Sequence, residues 1–248
     1  MGTSGTVLRL TLTSILALLA ALARQPKGGK MFDGLFGSSL KTTMVTPERA
    51  LPGRSEREYA LPERHAVLDA PLQWDESDGM HTLYLGLGCF WGAEKEFWRM
   101  DGVVTTAVGY QGGYTQNPSY EEVCTGLTGH TEIVKVTYDP AQVSDTDILR
   151  AFWESHDPTQ GFRQGNDVGT QYRSAVYYTS PEQESAAKST LESFQSALEA
   201  SGYGRITTEI KSASDAGEFY YAEPYHQQYL FKNPNGYCPV HSTGVACN

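Results

Sequence analysis

Hydrophobic and polar positions fall into a sustained pattern only from His81 onward. Thr82 to Leu87 is a short apolar run closing on glycine, which predicts a buried strand. Helical spacing follows, with Ala93, Phe97 and Met100 on one face. Val103–Tyr110 reads as a second strand and Gln111–Asn117 as a Gly-rich loop. Thr131–Tyr138 is a strand in which Glu132, Val134, Val136 and Tyr138 share one face. Ser144 can cap a helix carrying Ile148, Leu149, Phe152 and Trp153, and Pro158 ends it. After a polar, Gly-rich loop at 159–171, Ser174–Tyr178 returns to strand. Ser180-Pro181-Glu182-Gln183 is a strong helix start, with the cap, a proline at the first position and Gln three residues after the cap. Gly202 stops that helix, Ile206–Ile210 is expected as a strand and Ala222–Phe231 as a short helix. Strands and helices mix without a steady βα alternation, which predicts an α+β fold with helices on a mixed sheet.

The same pattern divides the chain. Residues 81–232 form the expected catalytic domain, and 233–248 a tail punctuated by Pro and Gly. Residues 31–80 are rich in Gly, Ser and Pro and read as an extended arm laid over the domain surface. Residues 1–32 hold no acidic residue, and the uncharged run Leu10–Ala23 falls short of the ~20 residues that span a bilayer. With Ala21-Leu22-Ala23 resembling a cleavage site, it can serve as an export signal or an organelle transit peptide. Lys27-Gly28-Gly29-Lys30 before Met31 favours another reading, since such codons can spell a ribosome-binding site. Residues 1–30 are then an upstream leader, Met31 is the start and the protein is cytoplasmic.

Composition narrows the partners. The 248 residues are 40% hydrophobic and 19% charged, enough for one sizeable core. The net charge of −10 repels phosphate backbones and anionic lipid, so neither nucleic acid nor a membrane surface is expected. Four cysteines, Cys89, Cys124, Cys238 and Cys247, are too few for a disulfide scaffold and lack metal-site spacing. No metal and no cofactor is expected.

Two positions carry candidate chemistry. Cys89, in Gly86-Leu87-Gly88-Cys89-Phe90-Trp91-Gly92, falls between a strand and a helix, where helix N–H groups would favour a thiolate below its usual pKa of ~8.5. A structural buried cysteine is the competing reading. The glycines are one residue off a dinucleotide fingerprint, and no acid stands at 107–111 to bind a ribose, so that reading fails. Glu132 is either a desolvated carboxyl able to donate a proton or, as the pattern alone favours, an edge-strand residue facing water.

A linked set of motifs decides between these readings. Gly-Cys-Phe-Trp-Gly-Ala-Glu stands at 88–94, Gly-Gly-Tyr at 112–114, Asn-Pro-Ser-Tyr at 117–120 and Thr-Gly-His-Thr-Glu at 128–132. His-Asp-Pro-Thr-Gln follows at 156–160, Gln-Gly-Asn-Asp at 164–167, Gly-Thr-Gln-Tyr-Arg-Ser at 169–174, Tyr-His-Gln-Gln-Tyr-Leu at 225–230 and Asn-Pro-Asn-Gly-Tyr-Cys at 233–238. In this order they resemble the peptide methionine sulfoxide reductase A family over residues 81–248. The resemblance implies a two-layer sandwich of ferredoxin-like type and reduction of methionine S-sulfoxide, free or in oxidised proteins, with thioredoxin as reductant; a monomer is expected. It implies Cys89 as nucleophile and Glu132 as acid, with Tyr120 and Tyr172 on the sulfoxide oxygen. Phe90 and Trp91 would cage the methyl group and Asp167 would join the substrate's hydrogen-bond network. Cys238 and then Cys247 would resolve and recycle the oxidised Cys89. The tail departs from the family: Pro239-Val240-His241-Ser242-Thr243-Gly244-Val245-Ala246 replaces a Gly-rich spacer, and Pro239 stiffens the start of it. Cys124 gets no role and is expected to be buried. A methionine-peptide binding module or a thiol peroxidase would also use a cysteine in an aromatic pocket, but neither needs the tyrosines or Glu132.

Overall fold

A computed structural model describes residues 41–74, 79–237 and 241–247. The leader and targeting readings of residues 1–30, and the resolving role of Cys238, fall outside them.

The sheet is built from six strands. These are β1 (His81–Gly86), β2 (Val103–Gln111), β3 (Thr131–Tyr138), β6 (Ala175–Tyr178), β7 (Glu209–Ser212) and β8 (Tyr220–Tyr221). A separate two-stranded ribbon pairs β4 (Arg163–Gln164) with β5 (Asp167–Val168). The large sheet runs in the order β7-β6-β1-β3-β2-β8. Every pairing is antiparallel except β6 with β7, so the sheet is mixed. The helices are α1 (Phe90–Phe97), α2 (Tyr120–Cys124), α3 (Asp145–Glu154), α4 (Pro181–Ala200), α5 (Ala213–Ala216) and α6 (Tyr229–Lys232). The fold is α+β, as the pattern of elements predicts.

Side-chain alternation explains how the sheet is covered. Leu83, Leu85, Val134, Val136 and Val176 belong to the main core, joined there by Phe90, Ala93 and Phe97 of α1. Ile148, Leu149, Phe152 and Trp153 of α3 and Phe194 and Leu198 of α4 complete it. The intervening residues Tyr84, Ile133, Ala175 and Tyr177 form a smaller cluster with Ala216, against which Ala213 and Phe219 pack. Local signals set the helix starts. Ser144 accepts from the Asp147 N–H and Asp147 reaches back to Ser144, a closed capping box. Ser180 accepts from the Gln183 N–H, with Pro181 at the first helical position.

Three expectations change. Glu132 is not on an edge strand: β3 lies between β1 and β2, and all eight of its residues are buried. The helix expected over Ala222–Phe231 shrinks to α6, because Gln228 before it takes a left-handed conformation, φ 49°. The strand expected at Ile206–Ile210 moves to β7, where Glu209–Ser212 pairs with Ala175–Tyr178. The polar loop at 159–171 contains the β4–β5 ribbon and runs into a turn of 3-10 helix at Thr170–Tyr172. Among the described residues, no helix is long and apolar enough to cross a membrane.

Candidate active site

Cys89 caps the N-terminus of α1, just past the end of β1. The turn that delivers it needs Gly88, whose φ is +95° and where a Cβ would stand 2.7 Å from Cγ of Gln164. Gln164 is fixed in turn by donating to the Asp157 carbonyl at 2.9 Å and accepting from the Asp157 N–H at 3.1 Å. The backbone N–H of Phe90, the first residue of α1, donates to Oε2 of Glu132 at 2.9 Å. The nucleophile candidate and the acid candidate therefore share one helix terminus.

The remaining candidates converge from separate elements. Tyr120 opens α2, where Ser119 accepts from the Glu122 N–H and Glu122 reaches back to the Ser119 N–H, a second capping box. Tyr120 interacts electrostatically with Glu132, Cys124 and Cys89. Tyr172 lies in the 3-10 turn, which is anchored by the Thr131 hydroxyl donating to the carbonyls of Gln171, at 2.9 Å, and Arg173. Tyr172 feels Glu132, Tyr120 and Asp167. Asp167, on β5, accepts from the Tyr237 hydroxyl at 3.2 Å. Phe90 is buried and Trp91 half-buried. The structure thus brings Cys89, Phe90, Trp91, Tyr120, Glu132, Asp167 and Tyr172 together.

Burial dominates the electrostatics. It pushes the Glu132 carboxyl up to about 8, against the Phe90 N–H, with Asp167 adding to the rise. Burial thus favours the protonated form of Glu132. Burial likewise pushes the Cys89 thiol up, and the charge of Glu132 adds to it, while the N–H groups of Trp91 and Gly92 pull the other way. This reverses the expected direction for Cys89: the helix terminus does favour the thiolate, but desolvation outweighs it. Because a charged Glu132 opposes the thiolate, ionisation of Cys89 is easiest while Glu132 keeps its proton. The Tyr120 and Tyr172 hydroxyls are pushed up by burial and then by Glu132, and so stand as proton-bearing donors.

Two cysteines differ from expectation. Cys247, given a recycling role by the resemblance, is absent from this cluster and half-buried. Its N–H donates to Glu154 of α3 at 2.7 Å, and the Ser242 hydroxyl donates to the Glu154 carbonyl at 2.6 Å. Tyr203 donates to the Thr243 carbonyl at 3.1 Å, and Val245 packs on the core. The tail is thus fastened to the helical face. Cys124 is half-buried, not buried, and interacts electrostatically with Tyr120.

Several residues with no role read from sequence back this site. Trp91 Nε1–H donates to His226 Nδ1 at 2.8 Å, and the Trp91 ring stacks on Tyr229 with centroids 3.9 Å apart. The His226 ring is also packed by Phe90, at 5.0 Å, and Tyr120, at 4.5 Å. Glu223 accepts from the Tyr120 N–H at 2.8 Å and from the Tyr110 hydroxyl at 2.9 Å. His226 lies inside the 225–230 motif, which was its only signal, because a lone histidine carries no local pattern.

A cysteine at a helix terminus, a buried carboxyl and two tyrosine hydroxyls beside an aromatic wall fit the class of thiol oxidoreductases. The sequence profile of the peptide methionine sulfoxide reductase family matches residues 81–246, and the chain belongs to that family of oxidoreductases. It is 58% identical to peptide methionine sulfoxide reductase MsrA 1 of Synechocystis sp. over 216 residues, 87% of this chain and 95% of the relative. It is 59% identical over 204 residues to the MsrA of Streptomyces griseus, covering 82% and 91%. Since 216 residues do not fit within 81–248, the first of these matches takes in the arm. Among solved structures, methionine sulfoxide reductase A of Corynebacterium diphtheriae aligns with a TM-score of 0.74 at 52% identity, covering 83% of this chain and 98% of that one. Reduced Mxr1 of Saccharomyces cerevisiae aligns with a TM-score of 0.60 at 34% identity, covering 68% and 94%.

Proposed function

We propose that the protein reduces methionine S-sulfoxide, free and within oxidised proteins, with Cys89 as nucleophile and Glu132 as acid. A sulfoxide oxygen leaves poorly until it is protonated, so a neutral acid must stand beside the attacked sulfur. Glu132 supplies that proton, and Tyr120 and Tyr172 donate to the same oxygen. The Cys89 sulfur attacks the sulfoxide sulfur, and the oxygen passes to Cys89 as a sulfenic acid while the methionine thioether is released. Two electrons leave the cysteine and two reach the substrate sulfur. Phe90 and Trp91 enclose the methyl group, and Asp167 bonds the substrate's polar part. Cys238 then condenses with the sulfenic acid, giving a disulfide and water. Cys247 takes over the bond by exchange, and the dithiol of thioredoxin reduces it.

The observation that carries this reading is the Phe90 N–H···Glu132 bond, which holds a buried carboxyl, its pKa raised by burial, at the helix terminus that Cys89 caps. The strand order β6-β1-β3-β2 at the centre of the sheet supports a ferredoxin-like, two-layer arrangement for residues 81–232. We read the protein as a monomer. The deciding assay is consumption of racemic methionine sulfoxide by the purified protein with dithiothreitol. Loss of the S epimer alone is expected; equal loss of both, or of neither, overturns the proposal. Cys89→Ser should be folded and without turnover in the same assay, and multi-turnover activity in it would remove Cys89 from the role.

A further inference from the structure

Glu94 closes the 88–94 motif and Gln228 sits inside the 225–230 motif, yet neither touches the reacting groups described above. Glu94 is on α1 and fully buried. Its Oε2 accepts from the Gln228 backbone N–H at 2.8 Å and its Oε1 from the Gln228 side-chain amide at 2.7 Å. The left-handed backbone at Gln228 permits both bonds at once. The Thr106 hydroxyl, on β2, donates to Oε1 at 3.0 Å.

That hydroxyl leads to the arm. His65 Nδ1 accepts from the N–H groups of Val67 and Leu68, so its proton is on Nε2, 2.8 Å from the Thr106 oxygen. The chain runs in one direction: His65 Nε2–H to Thr106, and Thr106 O–H to Glu94. The Ala66 N–H donates to Oε1 of Gln228 at 3.2 Å, so the arm grips both ends of the Glu94–Gln228 pair. The His65 ring also meets Trp98, the last cap of α1, edge-on at 6.1 Å. Burial raises the Glu94 carboxyl to about 7, opposed by its bonds from Gln228 and Thr106 and by Lys232.

The segment so held is the one behind the aromatic wall. His226 takes the Trp91 N–H and Tyr229 stacks on its ring. Gln227, between them, is tied to both backbone groups of Val108. We propose that Glu94 is a positioning residue of the sulfoxide site: with the His65–Ala66 turn of the arm, it fixes the 226–229 turn against α1 and so sets the orientation of Trp91. This rests on the reductase reading above. The wall grips the substrate's methyl end alike in the ground and transition states, so loosening it should raise KM more than it lowers kcat.

The test is Glu94→Gln in the full chain, which keeps the shape but sets an amide N–H₂ against donors. Two readouts are taken: KM and kcat for free methionine sulfoxide with dithiothreitol, and the Trp91 indole N–H resonance in protein labelled with ¹⁵N-tryptophan. A rise in KM on the order of tenfold, the scale of one lost hydrogen bond to a charged group, is expected with kcat nearly unchanged. The Trp91 resonance should move as well. A folded variant with native KM and an unmoved resonance overturns the proposal, even if it has lost stability. If Glu94→Gln does not fold, Thr106→Val, which removes only the connecting hydroxyl, is read by the same two measurements, with a smaller shift in the same direction expected. The resonance needs no turnover, so a wild-type protein inactive on sulfoxide overturns the reductase reading while the resonance still decides whether Glu94 holds Trp91.

Discussion

At the scale of single residues, the protonation of Glu132 governs the expected pH behaviour. Its carboxyl keeps its proton up to about 8 in the folded chain. The reductase step should therefore lose its acid as pH rises through that value, and Glu132→Gln should lack this alkaline limb. The same variant should be slower by ~10²–10⁴-fold at neutral pH, the usual contribution of a general acid, and the deficit should shrink as pH falls and solvent acid substitutes. Single-turnover rates across the pH range check both; an unchanged rate at every pH would leave Glu132 a structural role only. Stability carries a matching sign. The folded chain retains the Glu132 proton to about 8, whereas an unperturbed carboxyl releases it near 4.5. Across that window the native state binds more protons than the unfolded one, so stability falls as pH rises. Glu132→Gln should remove its share of the slope in urea titrations at stepped pH, leaving the share of Glu94.

At the scale of elements, the short helix α2 matters beyond its length because it aims Tyr120. Its capping box is reinforced by Arg54 of the arm, which pairs with Glu122 at 2.9 Å. Ser119→Ala should cost about 1 kcal/mol, read as a lower urea midpoint at unchanged slope. This helix was not legible in sequence: Asn-Pro-Ser-Tyr reads as a turn, and Val123 is its one buried apolar residue. The strands were more legible, because β1 is a short apolar run closing on glycine and β3 places Val134, Val136 and Tyr138 on one face at strand spacing. The caps at Ser144 and Ser180 also stood out, since each combines a side-chain acceptor with its partner three residues on. Glu132 illustrates the limit. Periodicity gave its face, but whether β3 is central or at an edge is a property of strand order, which no local pattern encodes. The Cys89 thiol shows the same limit: helix position was readable, but the depth of burial that outweighs it was not.

At the scale of the whole molecule, the arm is fastened at Thr106 and Gln228, and the tail at Asp167 and Glu154. Tyr237, at the site end of the tail, bonds Asp167, whereas Cys247 is held at Glu154 on the helical face. Between them His241 packs on Gly165, where φ is +57° and a Cβ would stand 2.1 Å from the ring. Reduced protein given one equivalent of sulfoxide should therefore form the Cys89–Cys238 disulfide first. The Cys247 exchange should lag, because the tail must first leave Glu154 and Tyr203, and Pro239 resists the turn. Acid quenching at successive times with peptide mass mapping checks the order. Tyr203→Phe, which removes the bond to Thr243, should shorten the lag. Normal turnover of Cys238→Ser with thioredoxin would instead point to Cys247 or Cys124 as the resolving thiol.

The bond from the Phe90 N–H to Glu132 has one further consequence for the proposed chemistry. In the proposed step the charge stands first on Cys89, whose ionisation burial opposes and the N–H groups of Trp91 and Gly92 favour. Once the oxygen has its proton, that thiolate is spent and Glu132 is the anion, facing the N–H of Phe90. Three consecutive amides of one helical turn thus receive the same unit of charge at two adjacent stations. The helix terminus that favours the anion on Cys89 thus also favours it on Glu132, which offsets part of the burial cost at each station as the charge crosses.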